Sequence, residues 1–435
     1  TESRPLIPAN LIAKKRDGKN LSKDEISWFI TNYVSGEISE EQMASLLMAI
    51  LFQGMNEIET FTLVEVMIDS GSKLDFSDSN YYVADKHSTG GIGDKVSLIL
   101  APLMAAAGLQ IPMIAGRGLS FTGGTIDKLE SIPGFNTSPS LETFNSWVDL
   151  NNCAIISQSD QICPADKKLY ALRDQTGTVP SNPLICGSIM SKKIASGISG
   201  LVLDLKVGNG AFLKNYESAK KLGVWMKKIG EAFGLTTDIL FTSMDQPLGR
   251  SAGLSCEVLE SMDALRGDGS EDLMDITYQL GSKLLIQSNI TTDIKESENL
   301  QRSLINDGKA FEKFEAMVKV QGGTLEKLET TSHPSNEVSI LSNADGVITR
   351  MDTEKIGWAL VELGCGRKSP KSSLDNTAGI QFLKKIGDEV HENEPIYHLF
   401  NSNPKLLNSA KRMLKKTFEI KDSLKKDFRL VLGEF

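Results

Sequence analysis

The chain has 435 residues, 24% charged and 40% apolar, with 47 Lys and Arg against 56 Asp and Glu and a formal net charge of −9. A length beyond the about 250–300 residues at which single cores stop growing implies two or three domains, and the acidic balance excludes a chain-wide attraction to nucleic-acid phosphates. The longest apolar stretches, Leu98 to Leu109 and Ala44 to Phe52, fall short of the about 18–20 residues of a spanning helix, and Thr1 to Asn10 lack the basic-then-apolar order of a secretory signal, so neither a membrane span nor export is expected.

Before Ser72 one pattern occurs three times: a small polar residue, an acid or amide three places on, an apolar periodic run, then glycine. Ser22 and Glu25 lead to Gly36, Ser39 and Gln42 to Gly54, and Asn56 and Glu59 to Gly71. Such capping boxes satisfy the orphan amides of a helix start, and a closing glycine takes the left-handed conformation that releases the chain. Three helices are predicted. Beyond Gly71 short apolar runs, glycine-rich turns and helical segments alternate, the pattern of a parallel sheet with crossover helices. Strands are predicted near Tyr82 to Asp85, Ile111 to Ala115, Ala154 to Ser157, Gly200 to Lys206 and Asp238 to Thr242. Two helical segments, Asp166 to Asp174 and Ser188 to Ser196, are too polar for crossover helices and are expected to pack with the first three. From about Val338 a further mixed region follows, with a strand at Gly346 to Arg350 and a helix at Thr353 to Leu363. The rhythm of Ile386 to Phe400 there resembles a biotinyl- or lipoyl-carrier hammerhead without its Met-Lys-Met attachment turn.

The five cysteines are scattered, without C-x-x-C spacing, and read as reduced, mostly buried thiols of a cytosolic protein. The four histidines form no H-E-x-x-H and no ligand cluster, so no zinc site is expected. Chemistry concentrates instead in Lys86-His87-Ser88-Thr89-Gly90-Gly91-Ile92-Gly93-Asp94-Lys95, placed after a strand and before an apolar helix. Glycines let backbone amides converge and the helix start adds its positive dipole end, so a phosphate is the natural guest. The spacing is neither a Walker A nor G-x-G-x-x-G. A second loop, Gly116 to Lys128, also follows a strand, and in an open parallel sheet both loops lie at the carboxyl edge, where ligands bind. Thr125 there either caps its helix or contacts the ligand. On the two polar helices, Tyr170 with Arg173 and Ser188 with Lys192 share faces as donor pairs. Residue type alone leaves Arg173 open to an ion pair with Asp174, and favours a solvated surface for Lys192.

These stretches resemble the thymidine and pyrimidine-nucleoside phosphorylases. The likeness runs from Lys14-Lys15-Arg16-Asp17-Gly18 to the Ile386 segment, and is most specific in Asp85 to Gly91, Gly116-Arg117-Gly118-Leu119, Thr122 to Phe135, Pro164-Ala165-Asp166-Lys167-Lys168 and Tyr170 to Asp174. The resemblance implies a small helical domain and a larger mixed α/β domain with a central, mostly parallel sheet, separated by a cleft. Residues 1–70 with 165–197 would be the helical, base-binding and dimerising domain, and 71–164 with 198–337 the α/β phosphate-binding domain. Residues 338–435 would form a C-terminal α+β lobe, hammerhead-like, on the α/β domain.

The activity implied is reversible phosphorolysis of pyrimidine nucleosides, thymidine first and deoxyuridine and uridine as further candidates, to free base and pentose 1-phosphate. Carried over by motif, Lys86, Ser88, Ser97 and Thr125 would hold phosphate, while Tyr170, Arg173, Ser188 and Lys192 would hold the base. Leu119, Val179, Ile189 and Phe212 would form apolar walls. His87, Arg173, Ser188 and Lys192 would carry the catalysis. The resemblance further implies a cytoplasmic homodimer with no cofactor or metal, phosphate being a co-substrate. Three residues depart from it. Ala115 replaces a serine that contacts phosphate in many members, Ser120-Phe121 replaces Gly-His, and Lys95 stands beside the monovalent-cation position of some relatives, with Glu260 matching a ligand glutamate. Two other readings are a non-catalytic nucleoside or phosphate binder eroded at Ala115 and Phe121, and an anthranilate-phosphoribosyltransferase-like enzyme. The latter needs an acidic pair for magnesium pyrophosphate that the sequence does not offer.

Overall fold

In the computed structural model, which describes residues 5–118, 120–368, 372–424 and 427–435, each of the three capping patterns opens a helix. They follow α1 (Pro8–Arg16), which the sequence pattern did not show: its start is a proline, its last turn holds Lys14, Lys15 and Arg16, and its apolar positions are few. Proline preset for the first turn and cations at the carboxyl end favour such a helix without periodicity. α2 (Lys23–Ser35), α3 (Glu40–Gln53) and α4 (Glu57–Asp69) carry reciprocal capping boxes at Ser22/Glu25, Ser39/Gln42 and Asn56/Glu59. Gly36 ends α2 in the left-handed region and Gly54 ends α3 at φ +71. Gly71 does not play that part. α4 ends at Ser70 in right-handed geometry, and Gly71 is needed because a Cβ there would lie 2.3 Å from the Gln161 carbonyl oxygen.

The alternating region then runs β1 (Tyr82–Ser88), α5 (Val96–Ala106), β2 (Leu109–Ala115), α6 (Thr125–Leu129), α7 (Leu141–Asn151) and β3 (Cys153–Ser157). Next come α8 (Pro164–Thr176), α9 (Asn182–Ala195), β4 (Gly200–Val207), α10 (Tyr216–Ala232) and β5 (Thr236–Ser243). After β6 (Ser251–Gly253) come five helices, α11 (Ser255–Leu265), α12 (Glu271–Gln287), α13 (Ile294–Asn306), α14 (Lys309–Val320) and α15 (Leu325–Thr331). The carboxyl-terminal part holds β7 (Asn336–Leu341), β8 (Gly346–Met351), α16 (Thr353–Leu363), β9 (Gly379–Phe382), β10 (Glu389–Val390), β11 (Pro395–Asn401), α17 (Pro404–Leu414), β12 (Phe418–Lys421) and β13 (Val431–Glu434).

Contacts divide the chain into two compact units. The first comprises the described part of Thr1–Ser79 with Gln158–Ser199 and Lys220–Thr237. Its core joins Phe29, Tyr33, Met43, Leu46 and Leu47 to Ala165, Leu169, Leu172 and Leu184. The polar helices α8 and α9 do therefore pack with the amino-terminal helices, as expected, burying one apolar face and leaving the other for polar side chains.

The second unit comprises Asn80–Ser157, Gly200–Ala219 and the described part of Asp238–Phe435. Its six-stranded sheet has the order β13-β5-β4-β1-β2-β3. β1 runs parallel to both β2 and β4, and β2 parallel to β3, while β13 pairs antiparallel with β5 at one edge. The loops after β1, β2 and β4 thus open at one edge of the sheet. Smaller sheets, β10-β8-β12 and β6-β9-β11-β7, build the carboxyl-terminal part. Among the described residues no helix is long and apolar enough to cross a membrane.

Candidate active site

In the second unit the chemistry starts where β1 leaves the sheet. Lys86 is buried, and its Nζ lies 3.2 Å from Ser97 Oγ at the start of α5 and 3.8 Å from Asp94 Oδ1. Ser88 donates its hydroxyl to Asp94 Oδ2 at 2.5 Å and accepts the Gly90 N–H at 3.1 Å. Asp94 is thus the pivot of the loop, receiving two of the predicted phosphate residues while also accepting the Val96 N–H. Burial would raise its carboxyl, yet the Lys86, Lys206 and Lys128 ammoniums together hold it far below the usual carboxylate range. Burial pushes the Lys86 ammonium down, with Asp94 and Asp204 opposing the shift. Lys86 and Asp94 are therefore held in the interior of the fold, where each charge acts more strongly than in water.

The second loop is clamped to the first. Lys128 of α6 donates to the Asp94 carbonyl oxygen at 2.6 Å and pairs with Glu257 at 3.0 Å. Gly118 and Gly124 allow the turn to close, since a Cβ on Gly124 would lie 2.0 Å from Gly118 N. Asp127 accepts the Gly118 N–H at 2.8 Å. Of the two roles left open for Thr125, capping is not the one observed. Gly124 is the cap, Thr125 stands at the first helical position, and no side-chain cap bond is made there. Leu119 lies outside the described residues. His87 is half-buried on β1 between Lys86 and Ser88. Phe212 is 49% exposed in the loop after β4, at the same sheet edge.

The three departures each have a local structure. Ala115 closes β2 opposite Ser157 of β3. Phe121 turns to α16, its ring 5.8 Å from that of Trp358. Lys95 is buried with its Nζ 3.1 Å from the Leu248 carbonyl oxygen, 3.0 Å from that of Ser251, 3.0 Å from Glu260 and 3.9 Å from Glu257. Burial would lower this ammonium, but Glu260 and Glu257 hold it above the ordinary lysine value. Two carbonyls and two carboxylates thus surround the Lys95 ammonium.

In the first unit, α8 and α9 build a second cluster. Arg173 is buried and donates to the carbonyl oxygens of Thr178 (3.5 Å), Leu184 (3.1 Å) and Val179 (2.8 Å). No ion pair with Asp174 is formed among the described residues. A guanidinium has five N–H donors; among the described residues three are used and two are left. Burial pushes Arg173 down, with Asp166 opposing. Its Cζ lies 5.5 Å from the centre of the Tyr170 ring. Lys192 is not the solvated surface lysine that residue type favours: its Nζ contacts Asp166 Oδ2 at 2.5 Å and Ser188 Oγ at 3.2 Å, and Ser188 donates to the same Asp166 oxygen at 2.9 Å. Ile189 and Val179 are half-buried beside these groups in sequence.

Sequence reasoning passed over Asp94, Lys128, Glu257 and Asp166. A signal existed for Asp166: it stands four residues before Tyr170 and seven before Arg173, on the face those two share. Asp94 carried none, since an aspartate after glycine reads as turn chemistry.

Residues 9–71 match the helical bundle domain and 80–311 the a/b domain of a glycosyl transferase family, and 347–421 match the pyrimidine nucleoside phosphorylase C-terminal domain. A pyrimidine-nucleoside phosphorylase of Staphylococcus haemolyticus (strain JCSC1435) is 44% identical over 417 residues, covering 94% of this chain and 95% of that one. One from Staphylococcus aureus (strain MSSA476) is 42% identical over 407 residues, covering 93% and 94%. The crystal structure of anthranilate phosphoribosyltransferase from Thermus thermophilus shares the fold at a TM-score of 0.57 and 17% identity, covering 71% of this chain and 98% of its own. The chain belongs to the pyrimidine-nucleoside phosphorylase family of glycosyl transferases.

Proposed function

We propose that this chain catalyses reversible phosphorolysis of pyrimidine nucleosides, thymidine first with deoxyuridine and uridine, to free base and (2-deoxy)ribose 1-phosphate. The observation that carries the reading is the 44% identity to a pyrimidine-nucleoside phosphorylase over 94% of this chain. The two donor clusters agree with it.

In this reading phosphate is the ligand of the second unit's loops, held by Lys86, Ser88, Ser97 and Thr125, and the pyrimidine that of α8 and α9 in the first. A phosphate oxygen forms a bond to the anomeric carbon as the bond from that carbon to N1 of the base breaks, and the bonding pair leaves with the base. Positive character develops on the sugar and negative charge on the base oxygens. Fixing phosphate removes the entropy of a bimolecular encounter, and the two unspent Arg173 donors with the Lys192 ammonium stabilise the charge arriving on the base. His87 donates a proton or hydrogen bond to a base oxygen. Tyr170 helps to hold the base, and the resemblance assigns apolar walls to Leu119, Val179, Ile189 and Phe212.

No metal or organic cofactor takes part, the Lys95 ammonium occupying the position of a monovalent ion. We assign the protein to the cytoplasm as a homodimer. Support for a dimer comes from Met48 and Phe52, one turn apart on α3, and from Ile58, all exposed, Phe52 by 79%.

The test is to incubate the protein with thymidine and with uridine, with and without phosphate, and to follow free base. Phosphate-dependent release is expected. Release without phosphate would make the protein a hydrolase, and binding without release would favour the eroded binder.

A further inference from the structure

We propose that Asp166 fixes the hydrogen-bond polarity of the Ser188 hydroxyl, and through it the preference for bases that carry a donor at ring nitrogen N3 over those that carry an acceptor there. The inference rests on the pyrimidine reading of α8 and α9.

A hydroxyl has one proton and two lone pairs, and it turns to suit its neighbours. Ser188 has two neighbours of fixed sense. Its proton goes to Asp166 Oδ2 at 2.9 Å, and a carboxylate only accepts. One of its lone pairs faces the Lys192 ammonium at 3.2 Å, and an ammonium only donates. Turning the hydroxyl around would set its proton against Lys192 and leave Asp166 short of a donor inside the fold. Lys192 itself closes the triangle, 2.5 Å from the same Asp166 oxygen. What Ser188 has left for a ligand is therefore a lone pair and no proton.

A second observation points the same way. Asp166 is 2% exposed, and its other oxygen, Oδ1, is buried without a hydrogen-bond partner among the described residues. Leaving such an oxygen unpaired costs free energy unless a ligand or water supplies a donor. The unspent valences of Ser188 and Asp166 are thus acceptors, while Arg173 and Lys192 keep donors unspent among the described residues. Uracil and thymine present two carbonyl acceptors with an N3–H between them, which complements that set. Cytosine presents a lone pair at N3 and an amino group in place of one carbonyl, and meets acceptor with acceptor.

Asp166 acts through Ser188 and is a positioning residue, so its test reads a ratio. In wild-type protein kcat/KM is measured for uridine and for cytidine with saturating phosphate, then in Asp166→Ala, Ser188→Ala and the double variant. Freeing the Ser188 proton is expected to cut the uridine-to-cytidine ratio by about tenfold or more. Because both changes act on one hydroxyl, the double variant should show the ratio of Ser188→Ala alone. A purely structural Asp166 would depress both nucleosides in equal proportion and leave the ratio unchanged, which overturns the inference. A wild-type protein that acts on no pyrimidine nucleoside overturns both this inference and the reading beneath it, and so is told apart from an active enzyme with an unmoved ratio. If Asp166→Ala does not fold, wild-type binding of uracil against 3-methyluracil decides: weaker binding of the methylated base, which lacks the N3 donor, supports the inference, and equal binding overturns it.

Discussion

Lys86 and Asp94 both titrate below their ordinary values, which disfavours the charged lysine and favours the charged aspartate. Lys86 titrates below the ordinary lysine value because it is buried. It therefore loses its proton before pH 10.5, the value from which it is displaced, and the KM for phosphate should climb on that alkaline limb. Lys86→Met should raise that KM at neutral pH by about ten- to a hundredfold, as expected for a lost hydrogen bond from a charged donor; steady-state kinetics at varied phosphate and pH check both. Asp94 is displaced downward from 3.8. Its contribution to stability is complete above the unfolded value and is lost as pH falls through the depressed folded one. Asp94→Asn should remove this acid-side loss while lowering stability at neutral pH, read as melting temperature against pH. Ala115→Ser should restore a hydroxyl worth on the order of 1 kcal/mol and lower the phosphate KM up to about fivefold; an unchanged KM would show that this position does not face the anion. Lys95 should make catalysis indifferent to added potassium at constant ionic strength. Lys95→Met leaves Glu260 without its cation while Glu257 keeps Lys128, at a cost of about 3–5 kcal/mol, and a wild-type enzyme that needs potassium would contradict the substitution of ion by ammonium.

Elements divide by whether their cause is local. The capping boxes of α2, α3 and α4 lie within four residues, so they can be read from sequence, as can the helix over Thr353–Leu363. The misfit of α8 and α9 was visible too, because a crossover helix is apolar and these carry Arg173 and Lys192. Causes at a distance were not visible. β13 is a strand only because Val431 to Glu434 pair with β5, and Gly71 looks like a helix end until the Gln161 carbonyl is found against it. The same holds within the site. The glycines of the second loop suggested anion binding, whereas their reason is the approach of Gly118 N to the Gly124 Cα, too close for a Cβ. Gly124→Ala should therefore misplace Thr125 and Lys128 together, raising the phosphate KM at least about tenfold with a stability loss of about 1–3 kcal/mol. A variant with wild-type phosphate kinetics would mean that the loop does not form this part of the site.

At the level of the molecule, each unit has its own core and its own cluster of buried charge. The first unit recovers Lys220–Thr237 late in the chain, partly by stacking Phe233 on Phe61 at 4.3 Å, a contact no periodicity announces. The second unit buries Lys86, Lys95, Lys128 and Lys206 against Asp94, Asp204, Glu257 and Glu260. Near-neutral pairing of this kind holds a charged interior together, since breaking one pair leaves its partner uncompensated. Family resemblance located the donors on both units; the structure adds the acids that orient them, Asp94 in one and Asp166 in the other. The reaction ascribed to them transfers a pentose from a base to inorganic phosphate, and phosphorus NMR of the protein with thymidine and phosphate follows that transfer directly. A sugar 1-phosphate resonance growing in step with free thymine is the predicted result. Free thymine with the inorganic phosphate signal unchanged, or no conversion at all, would contradict it.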